Sequence, residues 1–319
     1  MRPMTYRIDP AQRFDGQVRQ LARHELALAA RVLDAAADAG GPNAAAKAAF
    51  KARKAIKRVR ALYRTVRAAD PGPLRKAGHA LRDISASLAV VREPQALVRA
   101  AQVLARDGAN AGETQAALLC LRDRLRHRAQ KSETAKDAPG LLESAAEKCR
   151  EAADKVSRLD LPRKPRAVCD VLEAGIKRTC RDAIAGLETA RQSNTAADWH
   201  AFRARVKHHR MQMRLLDAAW PGEMRLRADA LKLMTDALGE DHDLAELQRA
   251  IEADRDLADW PDGMALICDA IRRRQLVLRE GAVTGAGYLF ADAPELIAGR
   301  ITRLWRVATD ESGRAVHRL

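Results

Sequence analysis

The sequence predicts an all-α fold of two tandem, related helical bundles, and three observations lead there. Only 3% of the 319 residues are aromatic while 47% are hydrophobic, much of that Ala. That composition excludes both a β-rich fold and disorder. Second, Ala/Leu/Arg-rich segments recur between Pro/Gly punctuation. Third, the chain repeats itself. Shifted by 150 residues, the 44–107 region falls on 194–257 without a gap, and 15 of the 51 positions from 50 to 100 are identical.

Taken in order, residues 14–37 read as a helix stopped at Gly40-Gly41-Pro42-Asn43. The next runs over 44–69, closed by Asp70-Pro71-Gly72-Pro73, and is followed by helices over 74–91 and 94–107, Pro94 suiting a first turn. Helical patterning continues over 112–130 and 140–157, with the polar stretch 130–136 as a loop between them. Leu161-Pro162-Arg163-Lys164-Pro165 reads as a linker, dividing a first bundle (1–160) from a second (161–319). Helices are then expected over 166–190, 195–219, 223–239, 243–256, 261–280 and 293–309.

The charge balance narrows function. With 57 Lys and Arg against 42 Asp and Glu, the formal net charge is +15, which predicts a polyanionic partner. No run of 18 apolar residues occurs, so no membrane span or membrane partner is expected. The opening MRPMTYRIDPAQRF lacks an apolar leader. Five irregularly spaced cysteines without a CxxC fit free, mostly buried thiols in a reducing cytoplasm.

His200, Arg203, Lys207, Arg210 and Arg214 stand at offsets 0, 3, 7, 10 and 14. At 100° per residue they fall within an arc of about 80° along about 20 Å of helix. In the first half Arg53, Lys57, Arg60 and Arg64 repeat the row, with Lys54 beside it and Phe50 at the His200 position. A solvated outer face is the plain alternative, but such faces intersperse acids, and neither 51–67 nor 199–214 contains one. Aligned like charges repel by a few tenths of a kcal/mol per pair, which a bound anion would relieve. The two rows are therefore expected to turn inward and share one channel.

The second half reads Trp199-His200-Ala201-Phe202-Arg203-Ala204-Arg205-Val206-Lys207 and then Leu238-Gly239-Glu240-Asp241-His242-Asp243, the first Phe50-Lys51-Ala52-Arg53-Lys54-Ala55-Ile56-Lys57 and then Leu88-Ala89-Val90-Val91-Arg92-Glu93. This pairing resembles the CHAD family, the conserved histidine α-helical domain, from about residue 14 to 310. The resemblance implies two bundles of four or more helices around a positively charged central cavity. It also implies binding of inorganic polyphosphate, often at cytoplasmic polyphosphate granules. Phe50 in place of a histidine, Ala204 in place of a basic residue and Glu93 in place of an Asp depart from the pattern.

The chemistry agrees with the resemblance. Polyphosphate offers only oxygens and charge; Arg grips such oxygens in paired hydrogen bonds and Lys adds compact charge. Further candidates are Lys177, Arg178 and Arg181 with their offset partner Arg31, and the pairs Arg82/Lys232 and Arg92/His242, where basic character is kept in both halves. A surface place is an equal alternative for Lys177, Arg178, Arg181 and Arg31, and the two pairs are second-tier ligand candidates. Asp241-His242-Asp243 reads as acids that cap or pair at the start of a helix near 243 rather than as a metal site, and no cofactor or metal is expected. His208-His209 read as a polar helix face, with the cavity edge beside Lys207 as the alternative, Gly281–Gly287 as a turn, and Trp220 and Trp260 as packing aromatics at helix ends. Catalysis on phosphoanhydrides would need acidic metal ligands, so no enzymatic activity is expected. The alternatives are a nucleic-acid binder using the same basic surface and a helical scaffold for an acidic protein. Scarce aromatics near the rows weigh against the first.

Overall fold

In the computed structural model, residues 5–89, 93–131, 138–253 and 261–316 are described. Among them the regular structure is helical throughout. Helix α1 (Phe14–Ala39) buries Val18, Leu21, Ala22, Leu26, Ala29, Leu33 and Ala36, a stripe at three- and four-residue spacing. It ends at Gly40 and Gly41, both at positive φ (66° and 87°), and Pro42 opens α2 (Pro42–Thr65). Glycine alone takes that double left-handed step without strain. Next come α3 (Pro71–Ser87), α4 (Glu93–Ala105), α5 (Glu113–Lys131) and α6 (Ala138–Lys155), α1 packing against both α2 and α6.

Residues 159–164 are firmly tied down. Leu159 and Leu161 are buried, Arg19 donates to the Leu159 carbonyl, and Arg163 pairs with Asp15. Helix α7 (Pro165–Ser193) follows, closed by Asn194 in the left-handed region (φ 50°). Thr195 caps α8 (Ala196–Leu215) by accepting the Asp198 amide. Then come α9 (Pro221–Glu252), α10 (Pro261–Leu289) and α11 (Pro294–Val316), with α7 between α8 and α11 and α9 between α8 and α10.

Two apolar cores result. The larger joins α1, α2, α3 and α6 to α7, α8, α11 and the first half of α9. The smaller joins α4 and α5 (Leu104, Leu118, Leu121) to α10 (Ile267, Ile271) and the second half of α9 (Leu244, Leu247, Ile251). Each such side chain contributes about 1.5–3 kcal/mol by leaving water. At 32 residues, α9 is about 48 Å long and serves both cores.

Three sequence expectations change here. The helices expected over 223–239 and 243–256 are one, because Leu238 and Leu244 pack into different cores on either side of an uninterrupted Gly239. Gly281–Gly287 lies inside α10, where Ala282 and Ala286 are buried, rather than in a turn. Trp220 is half exposed at the start of α9 and packs little. The 130–136 loop falls mostly, and Trp260 wholly, outside the described residues. All five cysteines are free, Cys149, Cys169 and Cys180 being buried, Cys268 partly so and Cys120 exposed. No helix among the described residues is long and apolar enough to cross a membrane.

Candidate functional site

Helices α2 and α8 pack against one another, and their basic rows meet where they do. Arg53, Lys54 and Lys57 from α2 and His200, Arg203, Lys207, Arg210 and Arg214 from α8 line one cavity of about 870 Å³. Helix α9 forms a further wall, contributing Lys232 and His242. Among the described residues, ten Lys or Arg side chains line this space against three acids. The acids, Asp236, Asp243 and Glu246, all lie on α9, so the lining is not purely basic as the rows alone suggest.

The α8–α9 contact explains the Leu238-Gly239 step. A Cβ on Gly239 would sit 2.8 Å from Nη2 of Arg203, so only a bare backbone lets that side chain lie across α9. Arg203 Nε also donates to the Thr235 carbonyl at 3.3 Å. One turn on, His242 stacks on His200 with ring centroids 4.0 Å apart and planes tilted 40°. Burial, His200 and the nearby Arg203 push His242 down to about 3. His200 is lowered for the same reasons, burial first and then Arg203 and Lys57.

Asp241 is no helix cap: it is buried within α9, and Arg279 of α10 holds it at 2.7 Å. Its burial raises its pKa, opposed by that guanidinium. His209 likewise is no part of a polar face. It is fully buried against Phe290, within hydrogen-bond reach of Gln212 and accepting from Arg227 at 3.1 Å, and is pushed down to about 3. His208 is half-buried, and burial first, then the charges of Arg64, Arg60, Lys207 and Lys57, take it to about 3.

Other candidates lie elsewhere. Arg60 is partly buried, with Arg82 and Arg64 beside it, and Arg64 pairs with Asp182 of α7; neither lines the cavity. Lys177 and Arg181 share Glu295 of α11. Arg178 and Arg31 are exposed outside the cavity lining, and exposed Arg82 pairs with its neighbour Asp83. Arg92 lies outside the described residues. Lys232, within the lining, pairs with Asp236 at 2.7 Å.

The sequence reading missed Tyr6, Arg58 and Arg249, which also line the cavity. Arg58 lies over the Tyr6 ring, 5.6 Å from its centroid, and pairs with the buried Glu25, while the Tyr6 hydroxyl donates to the Arg58 carbonyl. Arg58 was visible as a cation but off the row's spacing; Tyr6 carried no signal. Among the described residues no group of three or more His, Cys, Asp or Glu is arranged to hold a metal ion.

A family model described as the CHAD domain matches residues 12–252. The fold is similar to the crystal structure of the CHAD domain from the plant Ricinus communis: TM-score 0.58, 16% identity, covering 90% of this chain and 96% of that one. PptA from Streptomyces chartreusis matches at TM-score 0.49 and 19% identity, over 88% of this chain and 99% of that one. No curated protein matches the sequence.

Proposed function

Because the chain belongs to the CHAD domain family, we propose that it binds inorganic polyphosphate in the cavity between α2, α8 and α9 and does not act on it. The observation that carries this reading is the lining itself, ten cations against three acids among the described residues around about 870 Å³. From Arg203 to Arg214 the α8 row runs about 16 Å, a line of charge suited to a linear ligand with repeating phosphates. Guanidinium groups supply paired donors to phosphate oxygens, and lysines add charge without demanding one geometry. The two rows derive from duplicated halves, 1–160 and 161–319; in support, α1 and α7, α2 and α8, and α3 and α9 begin 151, 154 and 150 residues apart.

The cavity offers such a ligand charge without an ordered series of stacking rings, which is what single-stranded nucleic acids use. The protein is accordingly read as a cytoplasmic binder that gathers at polyphosphate granules, with other polyanions as weaker competitors. The test is fluorescence anisotropy with labelled long-chain polyphosphate across a salt series. Saturable binding that weakens steeply with salt is expected, with single- and double-stranded DNA competing only at far higher charge concentration. Equal displacement by DNA overturns selectivity for polyphosphate and favours the nucleic-acid reading. Polyphosphate that fails to displace an acidic protein partner favours the scaffold reading. Incubation with Mg²⁺ and long polyphosphate should release no phosphate; metal-dependent release overturns the non-enzymatic reading and directs attention to Asp236, Asp243 and Glu246.

A further inference from the structure

Resting on that reading, we infer that the stacked His200–His242 pair is a proton-binding element of the cavity, so that polyanion binding takes up protons and tightens as pH falls. The argument begins with geometry. The two rings are 4.0 Å apart between centroids, and both residues line the cavity. The charged groups bearing on the pair come from each helix around it: Lys57 from α2, Arg203 from α8, and Arg249 and Glu246 from α9. Glu246 Oε1 is 3.7 Å from His242 Nδ1, an opposite charge set among those cations, and Asp243 lines the same cavity.

In the empty cavity this surrounding charge favours uncharged imidazoles, and a second proton would bring two imidazolium rings into contact. The direction of both titrations agrees, His242 being held near 3 and His200 lowered. A phosphate chain along the Arg203 row reverses the sign of the local field. Negative oxygens beside Lys57, Arg203 and Arg249 cancel the repulsion that keeps the pair neutral, and a proton then adds a donor and a charge facing the ligand. Linkage makes this reciprocal: if binding raises proton affinity, protons raise ligand affinity by the same factor. A device of this kind needs no movement of the fold. It is also confined to one half, because Phe50 stands at the His200 position in the other.

The experiment is isothermal titration calorimetry of the full chain with long-chain polyphosphate from pH 8 to 5.5, in buffers of different ionisation enthalpy. Long chains keep the ligand's own titratable end groups few. Expected are a buffer-dependent heat reporting proton uptake and a Kd that tightens two- to tenfold per pH unit below pH 7. In His200→Asn with His242→Gln the pH slope should flatten toward zero. Should that variant fold poorly, NMR of the histidine ring protons in the unaltered protein replaces it. Without ligand His242 stays neutral down to pH 5, and with saturating polyphosphate at least one ring of the pair titrates at a clearly higher pH than without it. Binding without buffer-dependent heat, or with histidine titrations that ligand leaves unchanged, overturns this inference and leaves the functional reading standing. Absence of binding at every pH overturns both.

Discussion

Arg203 of α8 lies across Gly239 of α9, its Nη2 2.8 Å from where a Cβ on that glycine would project. A glycine inside a helix ordinarily costs about 1 kcal/mol relative to Ala. Here the missing side chain lets the Arg203 guanidinium lie against the helix backbone at the wall of the cavity that Arg203 lines. The Leu-Gly step thus seats a cavity cation against α9, although it resembles a helix stop in the sequence.

Gly239→Ala therefore separates function from stability. The atom displaced is the far end of a flexible side chain, so the backbone can stay in place and unfolding free energy should remain within about 1 kcal/mol of the original. Polyphosphate affinity should fall about tenfold, equivalent to ~1.4 kcal/mol. Urea unfolding and anisotropy on the same sample check both numbers. Gly175→Ala makes the contrast: its Cβ would run into the Thr65 carbonyl oxygen, a backbone atom that cannot swing aside. Its expected cost is about 2–3 kcal/mol of stability, as for overpacking.

The cations singled out by spacing fall into two groups, and mutation should distinguish them. Arg203→Ala with Lys207→Ala removes two cavity donors to a charged ligand, each worth about 1.5–3 kcal/mol, so binding should weaken at least a hundredfold. The slope of log K against log salt should also become shallower by about 1.4. Lys177→Ala with Arg181→Ala removes cations that pair with Glu295 on the α7–α11 surface. Exposed pairs contribute about 0–1 kcal/mol, so this variant should bind within twofold of the original. A comparable loss in the second variant would place the ligand on the outer surface.

How much of this was legible follows from what kind of signal each feature leaves. The α8 row was readable because 3.6 residues per turn turns sequence spacing directly into a face, and that face does line the cavity. The α2 row was only half readable. Periodicity puts Arg60 and Arg64 in line with Arg53 and Lys57, yet α2 runs on past the cavity toward α7, where Asp182 takes Arg64. Continuous α9 was misread because Gly239 signals a break locally, and the packing of Leu238 and Leu244 into separate cores decides otherwise. Partners on distant helices, such as Asp241 with Arg279 or Tyr6 with Arg58, leave no trace in local spacing.

The Asp241–Arg279 pair predicts an asymmetry between single and double substitutions. Asp241 is 1% exposed, and Arg279 also bonds the Asn194 side chain and lies over Trp199. Arg279→Met strands a buried carboxylate and should cost about 3–5 kcal/mol. Adding Asp241→Leu removes the stranded charge and should restore most of that loss, since apolar replacements of buried pairs are often near neutral. A double-mutant cycle in urea measures the coupling. Strictly additive losses would show that the pair does not hold α9 to α10.

Acid stability gives the last prediction. His208, His209 and His242 are each held near 3 in the folded chain, against about 6.5 when unfolded. Between those values the unfolded chain binds more protons, so stability is fully present above about pH 6.5 and declines as pH falls toward 3. Glu25 and Asp241 act oppositely: burial raises both, so the folded state gains protons from them first and they offset part of the loss at the acid end. The histidine term begins nearer neutrality, so the ligand-free Tm should start to drop between pH 6.5 and 5. His209→Gln, which removes the most enclosed of the three, should flatten that drop in a series of thermal melts. A Tm constant from pH 7 to 5 would mean that these imidazoles are not held neutral by the fold.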